Sequence, residues 1–238
     1  MSRFYTEKPL RSVHIDIDLL SKLEAFILET IPELIPGRFK SKKSKQYSIE
    51  LTDKYGSEQL DSFKKYKDKL LPDSISSLLI ELKDAQKTFE LSILFDMEEG
   101  GSVTLDFESD NVRERAISII EGIDLILRNY STINRIYHPW NQIGSVAGIF
   151  ALLLGIVSLS DVINGKYLEA SGPGFFTFAL GFYYYIGKFL KTIVSFETRR
   201  YKALNKYYLW LVSSCSGFIL SGIILTFFKN RFFGEFLK

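Results

Sequence analysis

Arg38, Lys40, Lys42, Lys43 and Lys45 fall within eight residues that contain no acid. A second group, Lys64, Lys65, Lys67 and Lys69, has Asp68 as its single acid. Aromatic side chains are interleaved with both: Phe39, Tyr47, Phe63 and Tyr66. Cations for phosphates and rings for bases are what a nucleotide or single-stranded oligonucleotide site is made of. The same runs can also be solvated loops or, facing an inner leaflet, a surface for anionic lipid. The candidate ligand-binding residues are Arg38, Lys40, Lys42, Lys43, Lys45, Lys64, Lys65 and Lys67.

Catalysis has little to draw on. The chain has two histidines and one cysteine, and no G-x-S-x-G, P-loop or H-E-x-x-H pattern. His14 reads as an ordinary surface residue of a strand, and His138, beside Pro139, as an interfacial residue. Asp16 and Asp18 could suggest a metal pair, but a solvent-facing side chain and a helix cap account for them. Glu98-Glu99 belongs to a turn, and the lone Cys215 excludes an intrachain disulfide. These residues indicate no enzyme, no cofactor and no metal site.

Two further groups lie in apolar surroundings. Gly144, Gly148, Ala151, Gly155 and Ser158 recur at steps of four, three, four and three. They form one helical stripe, a seam along which a second helix can approach closely. Ser213, Ser214, Gly217 and Ser221 share a face of a later helix. That face could line a water-filled path in an oligomer, or pack against neighbouring helices.

The segments carrying these groups divide the chain in two. Residues 1–139 hold 20 Lys+Arg against 24 Asp+Glu; residues 140–238 hold 10 against 4 and most of the long apolar runs. In the first half, Val13, Ile15 and Ile17 alternate as a strand, and Asp18 caps a helix that Pro32, Pro36 and Gly37 end. Strands follow around Tyr47–Leu51, Gln59–Phe63, Leu78–Leu82, Phe89–Phe95 and Val103–Phe107, linked as an antiparallel meander. Asn111 with Glu114 resembles a capping box, opening a helix expected to run to His138-Pro139 as a lever between the halves. The fold expected for 1–138 is an α+β domain, an antiparallel sheet of about five strands with two helices.

An α-helical transmembrane bundle is expected for 139–238, with spans at about 143–163, 172–190 and 207–228. Ile143 to Ser160 is 18 residues without a charge, and Tyr207 to Phe228 is 22. Gly172-Pro173-Gly174 opens the middle stretch and leaves it either spanning or re-entrant. Three spans with the first domain inside put 8 flanking Lys+Arg inside and 4 outside. Met1–Leu10 is polar and lacks the apolar region of a signal peptide. The expected location is thus a bacterial inner membrane, with the first domain in the cytoplasm.

By architecture the chain resembles the membrane effectors of bacterial antiphage signalling systems, a small sensor domain fused to a short bundle of spans. The resemblance implies a homo-oligomer in membrane lipid, a ligand-controlled channel or pore, and a nucleotide or short oligonucleotide signal made by a partner enzyme. The Hailong-type case, a channel controlled by an oligodeoxyadenylate, suits the basic-aromatic groups. The alternative is a membrane-anchored interaction or scaffold protein with no transport activity.

Overall fold

A computed structural model describes residues 2–36, 39, 45–66, 70–86, 88–132, 134, 142–190 and 192–228. Six strands form one antiparallel sheet in the order β1-β7-β6-β5-β3-β4: β1 Ser2–Pro9, β3 Lys45–Asp53, β4 Gly56–Leu60, β5 Ile75–Asp84, β6 Phe89–Asp96 and β7 Gly100–Ser109. Alternation sets its two faces. Leu78, Ile80 and Leu82 of β5, Leu91, Ile93 and Phe95 of β6, and Val103, Leu105 and Phe107 of β7 are buried. Opposite them lie residues such as Glu81, Ser92 and Thr104, which are only half-buried.

Helices cover the apolar face. Helix α1 (Ile17–Ala25) presents Leu19, Leu20 and Leu23, and α3 (Val112–Arg128) presents Ala116, Ile119, Ile123 and Leu127 to the same core. A wide π-type turn at Phe26–Thr30 carries α1 on into α2 (Ile31–Leu34). Pro32 therefore sits in the first turn of a continued helix, where its missing N–H costs nothing, and does not end the segment. The cap of α1 is Asp16, whose Oδ1 accepts the Leu19 N–H at 2.7 Å; Asp18 lies inside the first turn.

A second, two-stranded sheet is parallel and joins distant parts of the chain. It pairs β2 (Val13–Ile15) with β8 (Val194–Phe196), His14 lying opposite Ser195. Beyond α3 come α4 (Gln142–Ile163) and α5 (Tyr167–Leu190), then β8, then α6 (Arg199–Phe228). Helix α5 runs through Gly172-Pro173-Gly174 without a break.

Several expectations are corrected. The main sheet has six strands, because polar Ser2–Pro9 is an edge strand along β7. The strand at Val13 belongs to the small parallel sheet. Asn111 adopts a left-handed conformation (φ 56°) and its side chain makes no cap bond, so the capping box does not form. The lever is shorter than expected: α3 ends at Arg128, and the next residues turn to pair with β2, Thr132 N–H donating to Ser12 O at 2.8 Å. The transmembrane bundle is also overturned. Among the described residues no helix is long and apolar enough to cross a membrane. The described start of α6 carries Arg199, Arg200, Lys202 and Lys206.

Candidate functional site at the joint between sheet and helices

Three segments meet beside β2. Ser12 Oγ lies 2.9 Å from Thr132 Oγ1 and donates to Ile193 O at 2.7 Å, while Asn134 Nδ2 donates to Thr192 O at 3.2 Å. Val13 N–H reaches Ile193 O, His14 N–H reaches Tyr130 O, and Glu197 N–H reaches Ile15 O. Buried backbone groups must be paired, and here each segment pairs with one more than 100 residues away. The ends of the α4–α5 hairpin and the start of α6 are thereby fastened to the α+β body.

His14 is part of this joint, not a surface strand residue. Its Nδ1 lies 2.9 Å from Ser195 Oγ, and its ring stacks on Tyr201 of α6 with centroids 4.8 Å apart. Burial holds the imidazole pKa below its usual value, against the opposing pull of the Glu197 and Asp16 carboxylates. Burial likewise pushes the Tyr201 phenol up. Ser195 is fully enclosed, so the His–Ser pair clasps two strands and offers no exposed nucleophile.

Below the clasp is a cleft of about 440 Å³ between the sheet and α6. Lys54 and Tyr55 enter from the β3–β4 turn, Asp73 to Ile75 from the start of β5, and Met97 from the β6–β7 turn. Phe196, Thr198, Arg200, Tyr201 and Leu204 close the other side. Gly56, at φ 138°, makes the tight turn that presents Lys54 over the Tyr55 ring, 4.6 Å from its centroid. Asp73 Oδ1 accepts the Arg200 N–H at 2.9 Å and Thr198 Oγ1 the Tyr201 N–H at 3.0 Å, so α6 has both caps.

None of the described residues singled out by sequence lines this cleft. Arg38, Lys40, Lys42, Lys43 and Lys67, and the side chains of Lys45 and Lys65, lie outside the described residues, as does His138. Lys64 is exposed. The interleaved rings serve the core: Phe63 is buried, and Phe39 meets Phe89 edge-on at 5.4 Å. Tyr47 packs there too, its phenol pushed up by burial and the Glu24 carboxylate. No ring among these three is free to stack on a base.

The small-residue stripe faces α5. A Cβ on Gly155 would meet Thr177 Cγ2 at 3.4 Å, and one on Gly148 would meet Tyr184 at 4.0 Å. Thr177 Oγ1 reaches Ala151 O at 3.4 Å, and Ser158 Oγ donates to Ala170 O at 3.0 Å. Gly148, Ala151, Gly155 and Ser158 thus lie along the seam within one hairpin, and Gly144 lies in the first turn of α4. On α6, Ser213, Ser214 and Gly217 are exposed, Ser214 Oγ bonding back to Trp210 O; Ser221 lies further along the same helix, its side chain outside the described residues. Among the described residues no cluster of three His, Cys, Asp or Glu could hold a metal ion. Comparisons with protein-family models, with curated proteins and with solved structures each give no match.

Proposed function

We propose that the protein is an oligomeric effector acting at a membrane, its α+β body sensing an anionic ligand and its apolar hairpin contacting lipid and further copies. One observation carries the reading. The hairpin that the joint fastens to the body holds its large apolar side chains outward: Leu152, Ile156 and Ile163 of α4 are 71, 66 and 76% exposed, and Phe178 of α5 is 64% exposed. Large apolar side chains exposed along both helices of a hairpin mark an interaction surface, and a lipid boundary covers them without a specific partner. No described helix is long and apolar enough to cross a membrane, so the proposal includes no crossing. The setting we propose is antiphage defence in a bacterial cell, with the ligand supplied by a partner enzyme and the body on the cytoplasmic side.

Flotation of the purified full-length protein with phosphatidylethanolamine–phosphatidylglycerol liposomes tests the lipid contact. The protein should rise with the liposomes, and Leu153→Asp with Ile156→Asp should leave it at the bottom of the gradient. Wild-type protein that stays at the bottom defeats the proposal. Induced expression with a membrane-potential dye tests the effector part. Depolarisation supports it, whereas flotation without depolarisation in any ligand state leaves the anchored interaction protein.

A further inference from the structure

We propose that the cleft between the sheet and α6 binds a small planar anion about the size of one nucleotide, its ring on the apolar floor and its charged group on Lys54 and Arg200. The cavity, about 440 Å³, falls within the usual range for small-molecule sites. Its floor is apolar, formed by Ile75, Met97, Phe196 and Leu204. Tyr55 and Tyr201 supply rings on opposite sides, a composition that holds a flat aromatic group by stacking. Lys54 and Arg200 line the cleft with one carboxylate, Asp73, whose Oδ1 accepts the Arg200 backbone N–H.

The placement gives binding a consequence. Lys54 and Tyr55 belong to the β3–β4 turn, whereas Arg200 and Tyr201 open α6, the latter stacked on His14. A ligand touching both sides tightens the hold of the sheet on α6. The inference deepens the sensing role proposed above by assigning the ligand to the cleft that Lys54, Tyr55, Arg200 and Tyr201 line.

The test uses full-length protein in detergent, titrated calorimetrically with AMP, GMP, CMP and UMP, and with adenosine and inorganic phosphate. At least one of the four nucleotides should bind. Lys54→Glu and Arg200→Glu, both at exposed positions, should each weaken it about tenfold, the usual scale of a lost charge-assisted contact. Tyr55→Ala should weaken it as well. Absence of binding by all four at millimolar concentration overturns the proposal, as does binding that Lys54→Glu and Arg200→Glu leave intact. Phosphate or adenosine binding as tightly as the nucleotide removes the planar or the anionic half. Flotation is scored on the same preparation without ligand. Protein that floats but binds nothing loses only the cleft, and protein that binds but does not float loses only the membrane role.

Discussion

On β6, Leu91, Ile93 and Phe95 are fully buried, while on α4 Leu152, Leu153 and Ile156 are more than half exposed. Both segments are rich in the same residue types, so composition does not separate them; what covers them does. The sheet has α1 and α3 against its apolar face. The hairpin has a seam of small residues, and its bulky side chains point the other way. The difference predicts where truncation costs folding energy. Phe95→Ala should lose about 3–5 kcal/mol, from the buried ring and the cavity left behind. Leu153→Ala should change stability by about 0.5 kcal/mol or less. Urea unfolding of the full-length protein, followed by circular dichroism, measures both. Equal losses would mean that the two regions are packed alike.

Glycines sharpen the contrast at the next scale. A Cβ on Gly122 of α3 would overlap the Cζ edge of the Phe26 ring, which the π-type turn sets against α3. Gly181 of α5 has nothing within 4 Å of its would-be Cβ. Gly122→Ala should therefore destabilise by about 1–3 kcal/mol through overpacking. Gly181→Ala should be neutral or gain up to about 1 kcal/mol of helix propensity. Suppression of the Gly122→Ala loss by Phe26→Leu would tie it to the ring; without suppression, the close contact is not its cause.

These contrasts also mark what the sequence made legible. Strands β5, β6 and β7 and the apolar face of α3 stand out, because one buried face imposes a local period of two or of 3.6. Strand β1 does not, since an edge strand with no buried side chain leaves no such pattern in Ser2–Pro9. The joint is illegible for another reason: Val13–Ile15 and Val194–Phe196 are three residues each and find each other 181 positions apart. The same holds for the cleft, whose Lys54, Asp73, Met97 and Arg200 come from separate turns and a helix start. The lysine runs are conspicuous because they are contiguous, and most of them lie outside the described residues. Apolar length was readable in α4 and α5, yet it did not decide whether a described helix suffices to cross a membrane.

A smaller effect distinguishes two acids, of which the sequence reading makes Asp18 the cap and the structure makes it Asp16. Asp16 accepts the Leu19 N–H at 2.7 Å as the cap of α1, whereas Asp18 pairs with Lys22 at 2.8 Å and accepts from the Tyr130 hydroxyl. Asp16→Ala should cost about 1 kcal/mol, the usual value of an N-cap. Asp18→Ala removes exposed contacts and should cost less in the same denaturation assay. The reverse order would return the cap to Asp18.

The smallest effect is a dependence on pH contributed by the joint. Burial keeps the folded-state pKa of His14 below its unfolded value of about 6.5. Above that pH both states carry a neutral imidazole and the histidine adds no pH dependence. As the pH falls through it, the unfolded chain takes up a proton that the folded joint resists, so stability declines until the folded pKa is passed. Groups packed around the ring act in both directions: Glu197 and Asp16 favour the charged form, and Lys202 opposes it. The carboxylates with depressed pKa, Asp18 and Asp106, begin to lose their contribution only lower, below about 4. A thermal melt repeated between pH 7 and pH 5 should therefore show a fall in Tm that His14→Gln diminishes. An identical fall in the variant would place the titrating group outside the joint.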